Sequence, residues 1–321
     1  MTTLLIVQAR MTSTRLPGKV LLPLAGEPML TRLVERLRRV QRADGIVIAT
    51  TTNATDDPIV ALCAQLGVPC YRGSEHDVLS RYADAARLHG ADVVVRITSD
   101  CPLIDPSLID QVIAVHEEGD SDYVSNMLPP TWPYGMAVEV FSAAALAQAH
   151  AEATQPAERE HVTPFIYWHP ERYRLRNVAS PVDLSQHRWT VDTPEDYELV
   201  GRLFDHLMPT HPHFTQADVL ALLDDVLGKL IELLQNEQTR AWVAQSIVAW
   251  LKKDHPRTEK LLPSDWLGDK GSVLLARALE SLMADVAANP QHALRAQFDA
   301  VVQRFIERLR TDPDWARTGE E

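Results

Sequence analysis

An apolar run, Leu4-Leu5-Ile6-Val7, opens into a loop with three cations, and this junction constrains the fold more than any other stretch of the chain. Such a run suits a strand buried on both faces and is far too short to span a membrane. The loop Gln8-Ala9-Arg10-Met11-Thr12-Ser13-Thr14-Arg15-Leu16-Pro17-Gly18-Lys19 then places Arg10, Arg15 and Lys19 among small and hydroxyl residues. Loops at the carboxyl ends of strands are where open α/β sheets hold phosphorylated ligands. Gly18 lets the backbone approach closely, and the three cations can neutralise a polyphosphate. Neither G-x-x-x-x-G-K-[ST] nor G-x-G-x-x-G is present, which excludes the P-loop and dinucleotide modes. The residues alone also leave open a loop that is merely basic.

Strand and helix patterns alternate after this loop. Pro28 stands at a helix start, followed by Met29, Leu30, Leu33, Val34, Leu37 and Val40 on one face. Gly45–Thr50 reads as a strand, Asp57-Pro58 opens a helix that Gly67 closes, and Val68–Tyr71 reads as a short strand. A helix from about Asp77 to His89 ends at Gly90, and Asp92–Ile97 is the next buried strand. This repetition predicts an α/β fold with a doubly wound, mostly parallel sheet. Between about 120 and 190 the pattern loosens around Pro129-Pro130, Trp132-Pro133 and Gly135, as expected of an inserted arm. Strand-like pieces at Ala137–Phe141 and Tyr173–Val178 flank two helical stretches there. Arg188–Val191 reads as a last strand, and Pro194–Leu207 as a helix capped by Thr193.

From about Val226 the texture becomes wholly helical, with breaks at Gly268 and Gly271. Trp242, Val243, Ile247 and Trp250 fall close to one helical face. The predicted division is a domain over 1–225, with its arm at about 120–190, and an all-α module over 226–321. At 321 residues the chain is long enough for two such units. Charge divides the same way. Residues 226–321 carry 13 Lys and Arg against 14 Asp and Glu, whereas the first 225 carry 18 against 30, out of a net −13. An acidic body argues against non-specific binding to nucleic acid or anionic membrane, and makes the basic loop a local site. Cys63, Cys70 and Cys101 show no C-x-x-C or metal spacing. With no secretory leader pattern and no apolar run of about 18 residues, a cytoplasmic protein without a membrane span is expected.

Asp100 and Asp192 each end a predicted strand. Position alone leaves both a turn or helix-cap carboxylate and a metal ligand open at each. Thr50 ends another strand and reads either as pocket lining or as a polar turn. Arg72, Ser74 and Arg81 read as nucleotide contacts or as braces of the sheet edge, Arg81 more as a brace. Cys101 follows Asp100, but no expected step requires a nucleophilic thiol.

The string Q-A-R-M-x-S-T-R-L-P-G-K resembles the start of the sugar-acid cytidylyltransferases, the group of the CMP-KDO and CMP-acylneuraminate synthetases and, most closely, the SpsF-like spore-coat-polysaccharide proteins. Arg72-Gly73-Ser74, Asp77–Arg81, Arg96–Asp105, Glu160–Thr163 and Val191–Asp196 follow in the order of that family. The resemblance covers about 1–225. Asp254–Leu267 resembles a fragment of a second family, DUF445, and no activity is carried over from it.

The first resemblance implies a sheet of the nucleotide-diphospho-sugar transferase (GT-A-like) type. It also implies a magnesium-dependent nucleotidyltransferase converting CTP and a nonulosonic or octulosonic acid to a CMP-sugar and pyrophosphate, in surface polysaccharide biosynthesis. Arg10, Lys19 and Asp100 would be catalytic, and Asp100 and Asp192 would hold Mg2+. Gln8, Ala9, Arg10, Ser13, Arg15, Lys19, Thr50, Arg72, Ser74, Arg96 and Thr98 would bind the nucleotide. Glu139, Arg159 and His161 would receive the sugar acid, and a homodimer would use the arm. Two alternatives stand beside this reading. One is a glycosyltransferase of the same fold, for which Asp120-Ser121-Asp122 supplies an Asp-x-Asp string, though before a strand. The other is a non-catalytic scaffold that binds a partner through its helical tail.

Overall fold

The computed structural model describes residues 1–235, with side-chain environments through 225. The first strand, β1 (Thr3–Gln8), is buried from Thr3 to Val7, as an apolar run in the middle of a sheet must be. A small hairpin, β2 (Pro23–Leu24) and β3 (Glu27–Pro28), turns through Ala25 and Gly26, both at positive φ, and was not foreseen. It leads into α1 (Met29–Leu37), whose Leu30, Leu33, Val34 and Leu37 are buried as their spacing requires. Arg36 is buried with them, donating to the Leu103 and Ile104 carbonyls and stacking 4.5 Å from the Phe214 ring.

β4 (Gly45–Thr51), α2 (Asp57–Leu66), β5 (Cys70–Gly73), α3 (Val78–Leu88) and β6 (Val93–Thr98) continue the expected alternation. Gly67 closes α2 in the left-handed region, and the Asp77 carboxylate caps α3 by accepting the Ser80 N–H at 2.9 Å. Next come α4 (Pro106–Glu117), β7 (Tyr123–Ser125), β8 (Glu139–Ser142), α5 (Ala143–Glu152), α6 (Pro156–His161), α7 (Pro164–Tyr167) and β9 (Leu175–Asn177). Then α8 (Pro194–Leu207) starts on a Thr193 cap with a capping box to Asp196. The last described element, α9 (Gln216–Gln235), runs without a break through position 225.

The seven-stranded sheet has the order β5-β4-β1-β6-β8-β7-β9. Only β8 runs against the other six. The sheet is therefore doubly wound and mostly parallel. The chain winds outward from β1 through β4 to β5, then returns to β6 on the other side of β1. That reversal puts a crevice at the carboxyl ends of β1 and β6, where Gln8 pairs with Thr98.

Arg188–Val191 departs from expectation. It forms a single bridge, Arg188 to Tyr134, and no strand. Its backbone is extended but lies past the end of β6, with the Val191 N–H donating to the Asp100 carbonyl at 2.8 Å. Gly135 permits this close approach. Its φ is +112°, and a Cβ there would fall 2.5 Å from the Thr190 nitrogen.

Met1–Val219 is one compact unit, and the chain from Leu220 belongs to another. The tail helices, the breaks at Gly268 and Gly271, and the face of Trp242, Val243, Ile247 and Trp250 lie outside the described residues.

Candidate active site

The loop after β1 is held from both ends. The Met11 N–H donates to Asp56 Oδ1 at 2.8 Å, and the Gly18 N–H returns to the Met11 carbonyl at 2.9 Å. Gly18 sits at φ +71°, a conformation that side chains with a Cβ rarely adopt. The next residue, Lys19, opens a short 3-10 turn over Lys19–Leu21 and is buried. Its Nζ donates to Asp100 Oδ2 at 3.2 Å, Asp192 Oδ1 at 2.9 Å and the Val191 carbonyl at 2.8 Å. One ammonium thus ties together the β1 loop, the end of β6 and the segment before α8.

Asp192 is the most heavily compensated group of this cluster. Besides Lys19 it meets Arg15 at 3.1 Å and Arg188 at 3.0 Å. Arg188 in turn forks onto Asp196 through Nε and Nη2, both at 2.9 Å. Burial alone would raise the Asp192 carboxyl pKa. The hydrogen bond and charge of Lys19, with Arg188 and Arg15 behind it, outweigh that and hold it below the ordinary range. Asp196 is lowered in the same way, burial being outweighed by Arg188 and by the Asp192 N–H.

Asp100 Oδ2 and Asp192 Oδ1 converge on one point. Two hard oxygen donors so placed fit a divalent cation of the magnesium type, which takes one or two carboxylates and completes its shell with phosphate oxygens and water. Among the described residues no group of three or more His, Cys, Asp or Glu side chains is arranged for a metal.

A cleft of about 490 Å³ opens beside this cluster. Of the residues singled out above, Gln8, Ala9, Arg10, Ser13, Arg15, Lys19, Thr98, Asp100, Arg159, His161 and Asp192 line it. Five others do not, and each is engaged elsewhere. Thr50 is fully buried, its hydroxyl 3.1 Å from Asp56. Arg72 braces the end of β4, donating to the Thr51 and Asn53 carbonyls and pairing with Asp57 at 2.7 Å. The Ser74 hydroxyl accepts the Asp77 N–H at 3.1 Å. Arg96 pairs with Glu139 under the cleft and reaches Gln8 Oε1 at 3.3 Å. Glu139 also accepts from the hydroxyls of Tyr123 at 2.6 Å and Thr163 at 2.5 Å. Arg96 and Glu139 therefore form a largely buried polar pair whose hydrogen bonds run within the protein.

Arg159 does face the cleft, but it pairs with Asp77 and donates to the His150 carbonyl at 2.8 Å. Arg10 is half-exposed and meets Glu75 at 3.4 Å. Arg81, read above as a nucleotide contact or more as a brace, stands on the cleft wall; Glu75 beside it, with Arg188 and Asp196 behind Asp192, was not among the expected site residues. Arg188 was hidden inside an apparent strand, and its spacing of four and eight residues from Asp192 and Asp196 was the available signal. Cys101 is buried, and burial reinforced by the Asp100 charge pushes its thiol far up, so it stays protonated at neutral pH. Asp120 and Asp122 precede β7, which runs parallel to β6, so they lie toward the opposite edge of the sheet. They pair there with Arg176 and Arg174, each at 2.9 Å, which removes the Asp-x-Asp basis for a glycosyltransferase.

Comparison with known proteins shows the family. A family model described as Cytidylyltransferase matches residues 4–252, most of the chain and beyond the 225 at which the recognised motifs stop. A second model, for the protein family of unknown function DUF445, matches 191–321 and overlaps the first. The spore coat polysaccharide biosynthesis protein SpsF of Bacillus subtilis (strain 168) is 37% identical over 228 residues, 69% of this chain and 93% of that protein. A 3-deoxy-manno-octulosonate cytidylyltransferase of Acidovorax sp. (strain JS42) is 32% identical over 180 residues, 51% of this chain and 65% of that one. Among solved structures, a cytidylyltransferase from Leptospira borgpetersenii serovar Hardjo-bovis (strain JB197) superposes with a TM-score of 0.68 at 31% identity, covering 71% of this chain and 96% of that one. With its cationic loop and paired carboxylates at the switch point of the sheet, this chain belongs to the cytidylyltransferase family and is a nucleotidyltransferase.

Proposed function

We propose that the protein transfers the cytidylyl group of CTP to a sugar acid of the nonulosonic or octulosonic type, for surface polysaccharide synthesis in the cytoplasm. The observation that carries this reading is Lys19, whose Nζ joins the cationic loop after β1 to Asp100 and Asp192 at one point. The similarity to a spore coat polysaccharide protein and to an octulosonate cytidylyltransferase supports the choice of acceptor.

In the reaction an acceptor oxygen attacks the α-phosphorus of CTP, the bond to the bridging oxygen of the β-phosphate breaks, and pyrophosphate leaves. Such a transfer depends on positioning and charge compensation more than on covalent help from protein. Arg10 and Arg15 line the cleft where the phosphates would lie. Lys19 gives up its carboxylate contacts to meet phosphate oxygens as negative charge develops there. Asp100 and Asp192, freed of the ammonium, would hold Mg2+. That ion, when bound, would offset charge on the α-phosphate and the leaving group. Gln8, Ala9, Ser13 and Thr98 are left to contact the nucleoside. Arg159 and His161 on α6 face the acceptor side. The arm also exposes Leu128, Tyr134, Trp168 and Val182, which supports its use as the surface of a homodimer. Catalysis resides in the unit Met1–Val219, which contains every residue named here.

The test is direct. With magnesium, CTP should raise the melting temperature more than ATP or GTP does. Pyrophosphate release from CTP should then require a nonulosonic or octulosonic acid. Equal stabilisation by all three nucleotides would remove the cytidine specificity.

A further inference from the structure

Nearly every arginine among the described residues is paired with a carboxylate. Apart from Arg81 on the cleft wall, the exceptions are three neighbours at the end of α1: Arg36, Arg38 and Arg39. Their hydrogen bonds go to backbone carbonyls instead. Arg36 donates to Ile104 at 2.8 Å and Leu103 at 3.4 Å, Arg38 to Leu66, and Arg39 to His213 at 2.9 Å. A carbonyl accepts a hydrogen bond but carries no net charge. The partial charge at the end of α1 is about half a unit and offsets only a fraction of three cations. Arg36 is also 4% exposed. Burial, with the charge of Arg39 adding to it and that of Asp105 opposing, brings its pKa down to about 10, so it stays charged at neutral pH.

All three line a cavity of about 360 Å³ that shares no residue with the catalytic cleft. Arg32 lies there too, but it is paired with Glu35 at 2.9 Å and donates to the Leu24 and Ala25 carbonyls. Four arginines thus stand against one glutamate in a single concavity. The rest of the lining is of another kind: Phe204 of α8, with Met208, Pro212 and His213 after it. Cations from α1 and an apolar surface from the later segment suit a ligand with an anionic head and an apolar body.

We propose that this cavity binds a small phosphate ester with an apolar body, its phosphate held by Arg36, Arg38 and Arg39. Guanidinium forks match the oxygens of phosphate, and a dianion compensates more of this charge than a single carboxylate does. The site stands apart from the transfer reaction and needs no nucleotide. An extended polyanion or an anionic membrane fits less well. The cations sit in a hollow, on a unit whose first 225 residues carry 18 cations against 30 anions.

The experiment is calorimetric titration of the full chain at neutral pH with phenyl phosphate, inorganic phosphate and phenol. Phenyl phosphate should bind saturably, at one site and more tightly than inorganic phosphate, and phenol should not bind. Arg38→Gln/Arg39→Gln should weaken phenyl phosphate by about tenfold or more, through the loss of two charge-assisted contacts. Arg36 is kept in that variant because it also packs on Phe214. Arg15→Gln, in the catalytic cleft, should leave the affinity unchanged. Should the double variant fail to fold, Arg39→Gln alone carries the test, with a loss of about threefold or more. Unchanged affinity in the arginine variants overturns the proposal. So does loss of binding in Arg15→Gln, which would place the anion in the catalytic cleft, or a wild type that binds no phosphate ester. Retention on phosphatidylglycerol vesicles that the double variant abolishes would make the patch a membrane contact, and overturns it as well.

Discussion

Lys19, Asp100 and Asp192 form a cluster in which each charge depends on the others. Asp100→Asn keeps the shape but removes one of the two carboxylates that would hold the metal. The expected result is a folded protein whose kcat falls on the order of 10²-fold or more, equivalent to about 3 kcal/mol of transition-state stabilisation. Steady-state pyrophosphate release measures this, and near-normal turnover in a folded variant would sink the assignment. Asp192 and Asp196 also make a prediction about pH. Both carboxyls are lowered in the folded protein, so their contribution is present above the unfolded value of about 3.9 and is lost as pH falls through the folded one. Stability should therefore fall steeply below about pH 4. Asp196→Asn should cost about 1–2 kcal/mol at neutral pH, through the loss of the Arg188 fork and the capping contact, and should flatten that acid limb. Urea melts at pH 7 and pH 3.5 compare the two proteins, and an unchanged acid slope would show that other carboxylates dominate.

The segment from Arg188 to Asp192 shows how an element can be read correctly as extended and wrongly as a strand. Its β-branched and aromatic residues fit the strand pattern, but its hydrogen bonds go to Asp100, Tyr134 and Lys19 instead of to a ladder. What delivers Asp192 to the site is this docking, and Gly135 makes room for it. Gly135→Ala places a Cβ against the backbone of Trp189 and Thr190 at an unfavourable φ. The expected cost is about 2–3 kcal/mol of stability. Because the segment carries Asp192, kcat should fall as well. A variant with unchanged melting temperature and turnover would mean that the segment does not depend on this contact. The helices were easier to read. α1, α2, α3 and α8 follow their caps, glycine stops and apolar spacing, since these signals act within one or two turns. The β2–β3 hairpin escaped because two-residue strands carry no period to detect.

At the scale of the whole molecule, the site residues discussed here lie within Met1–Val219, and α9 carries the chain on to Gln235. A protein ending at Gln235 should therefore remain folded and release pyrophosphate from CTP within about threefold of the full chain's kcat/KM. A folded but inactive truncation would place part of the site in the remaining residues. No helix among the described residues is long and apolar enough to cross a membrane.

The alternation of strands and helices from β1 to β6, the helix α8, the cationic loop after β1 and the carboxylates at Asp100 and Asp192 were legible in the sequence alone. Apolar period, caps and turn residues report local backbone conformation and burial, and the motifs add the chemistry of single positions. Only the tertiary structure decided which of those positions meet. Lys19 and Asp192 are 173 residues apart and are joined because the sheet order brings the ends of β1 and β6 to one crevice, onto which the later segment docks. The same assembly withdrew Thr50, Arg72, Ser74, Arg96 and Glu139 into contacts of their own and left Arg81 buried without a partner. Whether a polar side chain faces a ligand or braces the fold depends on the competing donors and acceptors that packing places around it, and no local pattern in the chain records that competition.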